Sequence, residues 1–119
     1  MEFDKQYLLR IYMRDSDRHE GKLVHREILD YLREMNVAGA TVIQGMAGFS
    51  ERRFAKDDLC DLPKGGNIIS SVSAITTEHP IIIECIEKKE KMGEILPRIR
   101  EILGIWGRII VIPVHVLVN

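Results

Sequence analysis

An α+β domain with one antiparallel sheet and two helices on one of its faces is what this sequence predicts, on three observations. Apolar residues alternate with other residues in several short runs, the period of a strand. In two longer runs they recur at steps of three and four, the period of an amphipathic helix. The runs follow the order strand, helix, strand, strand, helix, strand, a βαββαβ plan that closes as a four-stranded antiparallel sandwich. At 119 residues and 45% hydrophobic content, one core suffices, so residues 1–119 read as a single domain.

Each element has its own warrant. Tyr7 to Met13 is the first strand, with Tyr7, Leu9, Ile11 and Met13 on one face and Leu8, Arg10 and Tyr12 on the other. Arg14 to Gly21 is polar and rich in turn formers, so it links that strand to a helix. From Lys22 the period changes, and Val24, Ile28, Tyr31, Leu32 and Met35 form a single stripe. Asn36 and Gly39 supply the helix exit, and a β-prone run from Ala40 to Met46 follows. From Phe49 to Pro80 the periodicity fails, and only Asn67 to Ile75 could form a short strand or hairpin arm. A connection of about 30 residues is long for a compact domain and points to function or mobility. Ile81 to Ile86 reads as a central strand. Met92, Ile95, Leu96, Ile99, Ile102 and Leu103 form the second helix stripe. Their burial, at about 1.5 to 3 kcal/mol each, outweighs the ~3 kcal/mol cost of Pro97, so the helix is expected to kink or restart there. The last strand runs from about Trp106 to Val118, and Pro113 inside it predicts an edge position or a bulge.

This is the ferredoxin-like plan, in which the last strand is an edge strand and one sheet face carries no helix. Leu8, Tyr12, Ile43, Ile82, Ile86, Ile110, Ile112, Val114 and Val116 would make that open face apolar, which predicts an oligomer that buries it.

Charge and composition exclude several classes. Seventeen basic against eighteen acidic residues give no general affinity for nucleic acid, which needs a clustered basic excess. Cys60 and Cys85 have no CxxC spacing, and the charged start MEFDKQ is not a secretory leader, so a reduced cytoplasmic setting is expected. No apolar run approaches the ~20 residues of a membrane helix.

The stretch Ala38 to Arg53 carries the most chemistry. A strand runs into a turn spaced by Gly45 and Gly48, where the backbone can approach a ligand closely, and Arg52 and Arg53 stand within reach of an anion. Two glycines ending a strand beside two solvated arginines is the alternative. His19, His25, His79 and His115 share no i, i+4 pair, so no metal site is assigned, and Asp57, Asp58 and Asp61 read as a solvated cluster. Trp106 reads as a packing residue, Arg108 as a surface ion-pair residue or a reach toward a neighbouring subunit, and Glu84 as a paired structural carboxylate. No Ser-His-Asp or paired-carboxylate constellation is visible, and no catalytic residue is assigned.

Several motifs together carry a resemblance. LRIYM at Leu9 to Met13, SDRHEGK at Ser16 to Lys22, GATVIQGMAGF at Gly39 to Phe49, HPIIIE at His79 to Glu84 and the Leu96-Pro97 pair resemble the small PII-like family catalogued as a domain of unknown function. The chain departs from it at Ser50, where the family usually has glycine. The resemblance implies a ferredoxin-like homotrimer related to PII signalling proteins and CutA trimers, with sheets facing inward. It also implies a long T-loop-like segment, here about 50–80. By the same resemblance an adenine nucleotide (AMP, ADP or ATP) is the expected ligand, in clefts between subunits, with no cofactor required. Asp17, Gly21 and Lys22 match the family's strand-to-helix turn, and Gly45, Gly48 and Phe49 match its T-loop base. Lys22 at a helix start and Arg52 or Arg53 suit phosphate. The function implied is regulatory signalling: ligand orders the loop and changes what a partner sees, with a membrane transporter such as an ion exporter among the partners and nucleic acid excluded. A CutA-like metal-binding trimer and a small acylphosphatase-like enzyme are the alternatives.

Overall fold

In the computed structural model, which describes residues 1–48, 79–105 and 107–119, the chain forms the expected sandwich. Strand β1 (Phe3–Arg14) leads through a small hairpin, β2 (Arg18–His19) and β3 (Lys22–Leu23), into helix α1 (Val24–Glu34). Then come β4 (Ala40–Gln44), β5 (Pro80–Glu87), helix α2 (Lys89–Leu103) and β6 (Arg108–Leu117). The sheet order is β4-β5-β1-β6, and every pair is antiparallel. The long segment and its possible strand at Asn67 to Ile75 lie outside the described residues, as do Cys60, the Asp57, Asp58 and Asp61 cluster, and Trp106.

Register decides which side chains are buried. Leu9 pairs with Cys85, Ile11 with Ile83 and Met13 with Ile81, so the two central strands present one apolar face. Both helices cover it. Val24, Ile28 and Leu32 from α1, and Met92, Ile95, Ile99, Ile102 and Leu103 from α2, complete a core with no buried polar or charged residue among the described residues. The Cys85 thiol is pushed up to about 11 by burial first and by the negative charge of Glu87 second.

Three local findings refine the sequence reading. Helix α1 starts two residues later than the periodicity indicates, because Lys22 and Leu23 are spent on a hairpin. The turn at Glu20 (φ 50°) and Gly21 (φ 81°) has positive φ at both positions. That is the geometry of a two-residue type I′ hairpin, which glycine adopts without strain. At the other end of α1, Asn36 is left-handed (φ 58°), and the amides of Asn36 and Val37 donate to the carbonyls of Arg33 and Leu32 at 3.1 Å each. This is a Schellman exit, with Val37 packed on the core beside the last turn. Helix α2 is one element through Pro97 and does not restart. Its stripe of buried residues continues on both sides of the proline, and that burial holds the helix together across the missing hydrogen bond.

Among the described residues, no helix covers the other sheet face. Leu8, Tyr12, Ile43, Ile82, Ile86, Ile110, Ile112, Val114 and Val116 share it by register, and Ile43 and Ile86 are each 41% exposed. Pro113 lies on β6, an edge strand, where its missing N–H disturbs no second ladder.

Ile83→Ala should cost about 2 to 5 kcal/mol of stability, read as a lower urea midpoint, because it empties a fully buried site between both helices. In a Cys60→Ser background, Cys85 should resist a disulfide thiol reagent at pH 8 while the chain is folded and react fully in urea. Through its raised pKa, Cys85 contributes nothing pH-dependent below the unfolded thiol's ordinary value near 9.0 and a loss of stability as pH rises from there toward 11, the window in which the unfolded thiol ionises and the folded one does not.

Candidate functional site

Of the residues singled out in the sequence, Asp17, Gly45 and Gly48 lie at one end of the sheet and Gly21 and Lys22 on the hairpin that leaves it. At that end β1 finishes opposite the start of β5, with Arg14 paired to Pro80 and the Asp15 amide donating to the His79 carbonyl at 3.1 Å. Asp17 closes the turn that follows. Its carboxylate accepts from the Arg14 amide at 2.9 Å, and its carbonyl accepts from the Val24 amide at 2.9 Å. Asp17 therefore ties the strand exit to the first residue of α1.

Gly45 and Gly48 stand on the opposite side of Pro80. The Gly45 amide donates to the Pro80 carbonyl at 2.8 Å, and a Cβ added at Gly45 would lie 2.6 Å from the Pro80 Cγ. At Gly48 the corresponding distance is 3.4 Å, an ordinary contact. The absent side chain at Gly45 thus has a packing reason: it lets the exit of β4 lie against the entry of β5. Phe49, Arg52 and Arg53 lie outside the described residues.

Gly21 and Lys22 belong to the hairpin. Gly21 makes its turn, and the Gly21 carbonyl accepts from the Arg18 guanidinium at 3.0 Å. Lys22 lines a cleft of about 650 Å³ between the hairpin, α1 and α2, together with Arg18, Arg26, Asp30, Glu34 and Arg98. Glu27 at its wall is held by the His19 ring at 3.1 Å and by Arg98 at 3.6 Å, and Arg98 also pairs with Glu101 at 2.9 Å. The hydrogen bond to Glu101 raises the Arg98 pKa above its ordinary value. Lys22 is exposed and available, so the cleft offers a cation close to the start of α1.

Sequence reasoning missed three partners here. Arg18 and Arg26 join Lys22 through the hairpin, whose trace in the sequence is the Glu20-Gly21 dipeptide, weaker than Asn-Gly or Asp-Gly. Pro80 is the counterpart of Gly45, and pairing across so long a connection leaves no mark on local spacing. Of the histidines, His19 is bound to Glu27, and no three His, Cys, Asp or Glu side chains are grouped to hold a metal ion among the described residues. No helix among them is long and apolar enough to cross a membrane.

Against known families, the one described as DUF190, "Uncharacterized ACR, COG1993", matches residues 6–116. The chain belongs to the DUF190 family. The DUF190 chain is 31% identical over 112 residues to the UPF0166 protein MJ1524 of Methanocaldococcus jannaschii, covering 94% of this chain and 92% of that protein. Among solved structures it resembles CPII of Thiomonas intermedia bound to ADP, AMP and acetate, with a TM-score of 0.64 at 15% identity over 98% of this chain and 92% of that one. A second CPII structure, described as a nitrogen regulatory PII-like protein bound to ADP, AMP and bicarbonate, gives a TM-score of 0.63 at 14% identity, covering 99% of both chains. At such identity the likeness is one of fold, and the DUF190 chain has the PII-like, ferredoxin-like fold.

Gly45→Ala should lower stability by about 1 to 3 kcal/mol through overpacking against Pro80. Adding Pro80→Ala should recover part of that loss in a double-mutant cycle followed by thermal unfolding.

Proposed function

We propose that this chain is a single-domain PII-like regulatory protein. It assembles as a cytoplasmic homotrimer, takes an adenine nucleotide in clefts between subunits, and regulates a partner through the segment at about 50–80. The observation that carries this reading is the convergence at one sheet end. There Asp17 closes the turn into the hairpin that bears Lys22, and Gly45 packs on Pro80, so the two ends of the long segment are pinned together beside that turn. A ligand held at such a place touches both a rigid sheet end and the start of the segment. It can then favour one arrangement of the segment over another, which is what a switch requires. The binding of ADP and AMP by CPII, a protein of the same fold, supports the choice of nucleotide.

In this reading Lys22 supplies charge to the phosphates, Gly21, Gly45 and Gly48 allow close backbone approach, and Asp17 orders the turn. Phe49, Arg52 and Arg53 complete the site from the segment itself. The open apolar face is buried between the copies. A membrane transporter is the partner class proposed. The protein senses and does not turn its ligand over, and it needs no metal.

Isothermal titration of the purified protein with AMP, ADP and ATP, with and without Mg²⁺, tests this directly. One nucleotide should bind without hydrolysis, and Lys22→Ala should weaken it by about tenfold or more, the worth of one hydrogen bond to a charged group. Absence of binding by all of them, or steady turnover, would overturn the reading; unchanged affinity in the variant would remove Lys22 from the site.

A further inference from the structure

The hairpin and α1 together bring three cations to one end of the cleft that they form with α2. Arg18 comes from β2, Lys22 from β3 and Arg26 from the first turn of α1, and these exposed side chains line the same space of about 650 Å³. Among the described residues no carboxylate pairs with Lys22 or Arg26, and the Arg18 guanidinium donates to the Gly21 carbonyl and not to an acid. Glu27, the acid at this end, is already held by the His19 ring and by Arg98. Asp30 and Glu34 also line the cleft, but they stand about one and two turns beyond Arg26 along α1. The cleft is therefore positive at the hairpin and negative at its far end.

The stability of the fold does not account for that arrangement. Like charges gathered in one cleft repel, and Arg26 stands where the helix dipole disfavours a cation. An anion at the hairpin end relieves both effects, and the donors say which anion suits. Two guanidinium groups present planar pairs of N–H donors that match phosphate oxygens, and the Lys22 ammonium adds a point charge. A single phosphate group carries about 1.5 to 2 negative charges at neutral pH, fewer than Arg18, Lys22 and Arg26 together offset. A second, linked phosphate brings the two sides into balance. Asp30 and Glu34 repel an anion from the rest of the cleft, so they confine the phosphates to the hairpin end.

We propose that Arg18, Lys22 and Arg26 form a site for a phosphoanhydride, two or more linked phosphates, and that Arg18 and Arg26 make this chain select ADP and ATP over AMP. The phosphate end of the ligand is then held by a single subunit. The selection among nucleotides rests on the proposed function, whereas the anion site stands on the cleft alone.

The test is isothermal titration of the full chain with AMP, ADP, ATP, orthophosphate and inorganic pyrophosphate, with circular dichroism as the check on folding. ADP should bind about tenfold or more tighter than AMP, and pyrophosphate should bind tighter than orthophosphate. R18Q and R26Q keep a polar side chain of good helix propensity and lose the charge. Each should weaken ADP by about tenfold and AMP by much less. Nucleotides that bind with an ADP-to-AMP ratio unaltered in both variants overturn the inference and leave the nucleotide proposal in place. Pyrophosphate binding that both variants weaken, with no nucleotide bound, supports the anion site and overturns the nucleotide proposal. No binding by any of the five probes overturns both. If a variant unfolds, wild type decides: equal affinities for AMP and ADP overturn the inference.

Discussion

The register between β1 and β5 is the constraint on which the rest of this structure depends. It sets Leu9, Ile11 and Met13 beside Cys85, Ile83 and Ile81, and so defines the one surface on which both helices can pack. A slip of one residue would turn Leu8, Arg10 and Tyr12 toward the helices and bury a guanidinium in a wholly apolar core. The same register sets what the far side looks like. Once the odd-numbered residues of β1 are committed to the core, the even-numbered ones are committed to the open face.

That division also places the functional features. The ends of β1, β4 and β5 meet at Pro80, and the turn that leaves β1 there is the one closed by Asp17. The sheet thus presents two surfaces of different character: a face with a broad apolar area that also carries the Arg10–Glu84 pair, Thr41 and Arg108, and an end built of turns, glycines and backbone groups. The first suits contact with another apolar surface, since a large exposed apolar area is costly in water. The second suits a small ligand, because turns supply backbone donors and tolerate close approach.

The fold was legible because its signals are periodic. Alternation in IIIECIE and the stripe from Met92 to Leu103 each involve enough residues to outvote a contrary one, and even Pro97 does not interrupt the helix. The open face could be written down residue by residue for the same reason. The hairpin at Arg18 to Leu23 was not legible as such, because two strands of two residues each have no period to detect. The candidate site was legible only in part. Asp17, Gly21, Lys22, Gly45 and Gly48 could be singled out as turn or charge residues. That Arg18 and Arg26 stand with Lys22, or that Gly45 is shaped by Pro80, depends on contacts between distant elements.

The sequence by itself determined the four long strands and two helices, their order, the largely apolar character of both sheet faces and the family, since these follow from residue type and spacing along one dimension. Only the tertiary structure decided which residues meet. Arg10 and Glu84 lie in separate strands far apart in the chain, and nothing in either strand's pattern names the other. Their meeting is fixed by a register that packing on the opposite face selects, so it emerges only when the whole sheet is assembled.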